Sequence, residues 1–295
     1  MNAHTPQHER SLAEDLTELD ATTALSQQPA VSPTQPDASR LAFGDPEFMA
    51  RRETRGIRFQ LEMLKPDLGQ AAHGIEHTIV VYGSARFVDA QAAQARLQAA
   101  QANGDAALIR LAERDVRNAA RYENARTFAR LVSEHSLQQP PEQRMHICTG
   151  GGPGIMEAAN RGAHEAGALN VGLNILLPHE QGGNRYITPG LSFKFHYFAL
   201  RKMHFMMRAK ALVAFPGGFG TMDELFEVLT LVQTTKVKPV PIILFDSAFW
   251  QQLFNFDLLV QEGMISPEDV NLFHVVDTPE AALQVITDFY GLDAE

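Results

Sequence analysis

Cysteine occurs once in the 295 residues, at Cys148, which excludes an intrachain disulfide and makes a reducing cytoplasm the expected setting. Basic charge is scarce: 25 Lys and Arg stand against 35 Asp and Glu, a formal net charge of −10. The broad basic footprint of phosphate-backbone binding is therefore missing, and nucleic acid is not an expected partner. Long apolar runs are missing too. Stretches such as "IILF" and "ALVAF" are far too short to span a bilayer. The opening "MNAHTPQHERSLAEDL" has no apolar core behind a basic start, so neither a secretory signal nor a membrane association is expected.

What is present is the composition of an ordinary globular protein, 45% hydrophobic and 20% charged. Residues 1–44 are the exception. "SQQPAVSPTQPDASR" has too few large apolar side chains to offset the entropy of ordering and reads as a disordered tail. Residues 45–295 read as one Rossmann-like domain. A first helix through "PEFMARRETRGIRFQLEML" should stop at Pro66. "HTIVVYG", "RMHICTGGG", "NVGLNILLP", "ALVAFPGG", "PVPIILF" and "NLFHVV" read as strands. Between them lie helical stretches, among them a long one over 90–136 with a break at "NGD". "FKFHYFALRKMHFMMRAK" and "SAFWQQLFNFDLLVQEG" each read as a single helix. Alternating strands and helices with continuously apolar strands predict an α/β fold, a doubly wound parallel sheet with helices on both faces.

Three glycine turns follow predicted strands: "YGSAR" (82–86), "TGGGPG" (149–154) and "PGGFGT" (216–221). All three should lie at the carboxyl edge of the sheet, where open α/β sheets bind ligands. Two run straight into helices, whose first amides and positive dipole end suit an anion. Neither fits G-x-G-x-x-G or G-x-x-x-x-G-K-[ST], so dinucleotide cofactors and P-loop triphosphates lose support and a single phosphate fits better. A structural reading competes: "TMDE" spells a capping box, in which Thr221 and Glu224 only start a helix.

The residues also carry a resemblance. "PGGFGTMDE", with Arg201-Lys202 upstream, resembles the Lonely Guy (LOG) signature PGGxGTxxE and its preceding RKxxM, the methionine being met at Met206 or Met203. "CTGGGPGIMEAANRGAHEAGALNVGLNILLPHEQGGNRY" is similar to the longer bacterial branch of that family. The likeness covers about 75–290; the tail and the stretch 90–120 have no clear counterpart. It implies a phosphoribohydrolase cleaving AMP or a cytokinin riboside 5′-monophosphate to free base and ribose 5-phosphate, without cofactor or metal. Arg201 and Glu224 are then the catalytic pair. Gly217, Gly218, Gly220 and Thr221 hold the phosphate. Gly83, Ser84, Gly151, Gly152, Gly154, Glu157 and Lys202 complete the substrate pocket. A homodimer or dimer-based hexamer is implied as well.

Other readings are weaker. A nucleotide or molybdenum-cofactor carrier shares this fold and its glycine loops but needs no Arg201–Glu224 pair. A pyridoxal-phosphate decarboxylase needs a Schiff-base lysine, and Lys194, Lys202, Lys210, Lys236 and Lys238 have no such context. "HGIEH" (73–77) spells an inverted zinc motif, but Gly74 and the following strand deny it the helix that the motif requires.

Overall fold

The computed structural model describes residues 40–176 and 182–292. The expected tail lies, up to residue 39, outside the described residues, as does the end of the "NVGLNILLP" stretch. The chain divides into two compact units, one ending at Leu61 and one beginning at Glu62. The first holds a 3₁₀ turn at Ala42–Gly44 and helix α1 (Pro46–Ala50), which Asp45 caps by accepting from the Glu47 and Phe48 amides. Helix α2 (Arg55–Ala72) follows.

The second unit is built on seven strands: β1 (His77–Tyr82), β2 (Met145–Thr149), β3 (Asn170–Ile175), β4 (Ser192–Phe195), β5 (Ala209–Ala214), β6 (Ile242–Phe245) and β7 (His274–Val276). Their order in the sheet is β4-β3-β2-β1-β5-β6-β7, and every neighbouring pair is parallel. The chain works outward from β1 to β4, returns to the centre at β5, and works outward again to β7. The doubly wound fold expected from the strand–helix alternation is the fold observed.

The side-chain period of a strand divides the core in two. Ile79 and Val81 face one layer, packed by α4 (Ala106–Gln138), α5 (Ile155–Glu165) and α10 (Pro279–Tyr290). Val80 and Tyr82 face the other, packed by α6 (Phe198–Met207), α7 (Phe219–Gln233) and Trp250 of α8 (Ser247–Leu253). Helix α3 (Ala90–Asn103) precedes α4, and the expected break between them falls at Gly104, whose φ of 77° closes the first helix. Each layer buries bulky aromatics, Phe128 and Phe215 on one side, Phe195 and Phe205 on the other.

Four expectations are corrected. The stretch from Pro46 is not one helix: it breaks after Ala50 and resumes at Arg55. Pro66 does not stop its helix but lies inside α2. The stretch from Phe193 is not one helix: Ser192–Phe195 is strand β4, with Phe193 and Phe195 buried and Ser192 and Lys194 exposed, before α6 begins at Phe198. The stretch from Ser247 is two helices, α8 and α9 (Phe256–Gln261), with Asn255 capping the second.

Helices α4 and α5 meet closely because their facing residues are small. At Gly162 a Cβ would lie 2.1 Å from the Arg126 carbonyl oxygen, which is backbone and cannot yield. Gly162→Ala should therefore destabilise the fold by about 2 kcal/mol or more, read as a lower urea midpoint at unchanged m-value.

Candidate active site at the sheet's switch point

Strand order reverses between β1 and β5, and the crevice outside their carboxyl ends is where such sheets bind ligands. The two strands end in register, Tyr82 beside Ala214, and each runs into a glycine turn. The turns are tied together: the Ser84 amide donates to the Pro216 carbonyl at 3.0 Å and the Phe215 amide to the Tyr82 carbonyl at 2.9 Å. The third turn, after β2, is held by a buried polar chain. Thr149 Oγ1 donates to Asn160 Oδ1 at 2.7 Å and accepts from the Gly151 amide at 2.9 Å, while Asn184 Nδ2 donates to Asn160 Oδ1 and to the Gly151 and Gly152 carbonyls.

Together the turns wall a cavity of about 760 Å³. Gly83, Ser84, Gly152, Gly217, Gly218, Gly220, Thr221, Arg201 and Glu224 all line it. The glycines do different work. A Cβ on Gly217 would meet Thr221 Oγ1 at 2.1 Å, whereas a Cβ on Gly218 or Gly220 would point into open space. Nothing in the described protein requires Gly218 or Gly220 to be bare, so their bareness leaves amides open to a ligand. Helix α7 begins just there, with Gly218 as its N-cap and no side chain capping it.

That geometry removes the capping-box reading. Glu224 turns away from the helix start and accepts from Arg201 Nη2 at 2.6 Å, with both side chains close to nine-tenths buried. Burial pushes the Glu224 carboxyl up to about 7, and the Arg201 guanidinium, with its hydrogen bond, restrains that rise. Arg201 is itself flanked by the rings of Phe198 and Phe205, at 5.3 and 5.5 Å. Its Nε is buried with no hydrogen-bond partner among the described residues, a donor left over for something not of the protein.

Four of the expected site residues stand off the cavity wall. Lys202 pairs with Asp223 at 2.8 Å and Glu227 at 2.9 Å in a neighbouring hollow. Gly151 and Gly154 have φ of 72° and 73° and serve the backbone: Gly151 packs on Asn174, and Gly154 lets the Ile155 amide reach the Ser84 carbonyl at 3.0 Å. Glu157 accepts from the Tyr122 hydroxyl at 3.0 Å.

The structure also adds residues. Tyr82 and Phe198 join the wall near Glu224. Arg121, also on the wall, lies between Phe87 and Phe249, at 5.8 and 5.6 Å, and pairs with Asp246 at 2.7 Å. Asp246 adopts a left-handed φ of 82° to do so while capping α8. The i, i+3, i+7 spacing of Phe198, Arg201 and Phe205 was a readable signal for the aromatic clamp, one ring three residues before the arginine and one four after it. Arg121, distant in sequence from every motif, gave none.

A family model described as "possible lysine decarboxylase" matches residues 156–286. Over 155 residues the chain is 30% identical to a probable cytokinin riboside 5′-monophosphate phosphoribohydrolase of Oryza sativa subsp. japonica, covering 51% of this chain and 66% of that one. Over 130 residues it is 33% identical to the cytokinin riboside 5′-monophosphate phosphoribohydrolase LOG7 of Arabidopsis thaliana, covering 43% and 58%. These matches support the Lonely Guy family for this chain. The chain spans about three-fifths of the length of these two Lonely Guy relatives. Among solved structures, a molybdenum cofactor binding protein from Rippkaea orientalis is similar at 17% identity and a TM-score of 0.43, covering 72% of this chain and 95% of its own.

The raised Glu224 value has a thermodynamic consequence. The unfolded chain ionises this carboxyl near 4.5 and the folded chain near 7, so stability is lost as pH rises across that interval. Glu224→Gln has no charge to form. From pH 5 to 8 its unfolding free energy should gain on the parent's by up to about 3 kcal/mol, measured by urea denaturation at each pH.

Proposed function

We propose that the protein hydrolyses the N-glycosidic bond of a nucleoside 5′-monophosphate, AMP or a cytokinin riboside 5′-monophosphate, to free base and ribose 5-phosphate. The observation that carries this reading is the buried Arg201–Glu224 pair, 2.6 Å apart, on the wall of the cavity that the bare glycines 217, 218 and 220 also line. A monoester dianion seated on the amides at the start of α7 compensates groups that no side chain caps. Glu224 lies one helical turn further along, so the ribose is presented to its carboxylate. Breaking the bond builds positive charge on the sugar ring, which a carboxylate stabilises. The same group takes the proton of the attacking water as oxygen bonds to C1′ and the base departs. A carboxyl near 7 is matched to that task at neutral pH.

Arg201 orients the carboxylate, and its spare Nε–H is available to a substrate oxygen. No described lysine lines the cavity, which weighs against a Schiff-base decarboxylase at this site. A pure carrier would have no use for a desolvated carboxylate of this kind. Phe219, 96% exposed at the cavity rim, supports assembly as a homodimer or dimer-based hexamer in which a second copy covers it.

AMP and N6-prenylated AMP should each yield free base and ribose 5-phosphate, separated by chromatography; release from neither removes the proposal. Glu224→Gln should lower kcat about a thousandfold. In the parent, kcat/KM should rise with pH through a limb near 7 as the carboxylate forms. Gly217→Ala, which drives a methyl group into Thr221, should raise KM for the monophosphate about tenfold.

A further inference from the structure

Helix α6 carries Arg201 but does not cap itself. Its N-cap is Tyr197, no side chain of its own bonds the first amides, and its first turn holds no acidic residue. The missing acceptor comes from α2. Glu62 Oε1 accepts from the His196 amide at 3.0 Å and Oε2 from the Tyr197 amide at 3.2 Å. One carboxylate thus holds the N-cap amide and the amide before it, and places its charge at the positive end of the α6 dipole.

The backbone of the same residue makes the next contact. Pro66 has no N–H, so the Glu62 carbonyl four residues earlier loses its donor within α2. His204 Nε2, in the last turn of α6, hydrogen-bonds that carbonyl at 3.1 Å. Below it, Arg208 donates to Asp67 Oδ1 at 2.6 Å and to the Ile75 carbonyl at 2.9 Å. The start, the last turn and the C-cap of the helix bearing Arg201 are therefore each tied to α2 or the turn after it.

We infer that Glu62 is a positioning residue of this active site, holding α6 by side chain and carbonyl together so that the Arg201 guanidinium meets Glu224. The inference rests on the hydrolase reading for its catalytic meaning, but its geometry does not depend on the substrate.

Arg201 is the group that restrains the upward push of burial on Glu224. The other charged or titratable groups acting with it around that carboxyl are Lys202 on α6, Asp223 on α7, Tyr82 on β1 and Cys148 on β2. A loosened α6 releases Arg201, and Glu224 then holds its proton to higher pH.

The test is a carbon-13 NMR titration of the Glu224 carboxyl in the full chain, assigned by its loss in Glu224→Gln, for the parent, Glu62→Gln and Asp67→Asn. Glu62→Gln should stay folded by circular dichroism and move the midpoint upward by about half a unit or more. Asp67→Asn should move it less, in the same direction. With AMP, Glu62→Gln should cost roughly tenfold in kcat with KM little changed, since the phosphate loop is untouched. An unmoved midpoint in a folded Glu62→Gln overturns the inference. If Glu62→Gln does not fold, Asp67→Asn decides by the same midpoint. A midpoint shifted in Glu62→Gln, with a parent that releases no base, keeps the positioning role and sinks the hydrolase reading instead.

Discussion

A carboxylate almost out of reach of water has to be compensated, and at Glu224 one guanidinium supplies the compensation. Burial alone would keep this group protonated at neutral pH, and a free partner alone would keep it fully ionised. Together they leave it poised near 7. That balance requires two helices from different βα units to present single side chains to each other within hydrogen-bond distance. The doubly wound sheet achieves this because β1 and β5 are neighbours in space while the chain between them makes the whole of one half of the fold.

The start of α7 follows the same economy. An uncapped helix end next to bare glycines leaves backbone donors waiting, a state that proteins ordinarily avoid. Gly217 is bare because Thr221 occupies the space a side chain would need, while Gly218 and Gly220 are bare with no internal reason. A site of this shape favours a compact anion without enlisting a lysine. Lys202, the nearest candidate, is committed to Asp223 and Glu227. Consecutive helical residues point about 100° apart, so once Arg201 faces the cavity its neighbour must turn aside.

Much of this was legible in the sequence. The strands announced themselves through continuous β-branched runs, and each glycine turn fell at a strand end. The pairing of Arg201 with Glu224 was legible through the family pattern, not through spacing, since they stand 23 positions apart with a strand between them. What was not legible has physical causes. Phe193 and Phe195 alternate as a strand does, but the aromatic run continues into α6 and blurs the change of period. Gly151 and Gly154 look like ligand loops on paper, yet their positive φ serves a buried polar network and a close strand–helix contact. Arg121 enters the cavity from a helix that no motif marks, through a pairing with Asp246 formed only in three dimensions.

Pro66 shows how a local rule can fail informatively. A proline inside a helix forfeits one hydrogen bond and leaves a carbonyl exposed, which favours ending the helix there. Here the helix continues because the orphaned Glu62 carbonyl finds a donor on another element, His204. That donor sits three residues beyond Arg201, and the acid whose carbonyl it uses also caps the same helix. The defect in α2 is thus what frees a backbone acceptor to grip the helix that bears Arg201. A residue with an N–H at 66 would compete for that carbonyl and weaken its bond to buried His204, whose Nδ1 has no partner among the described residues.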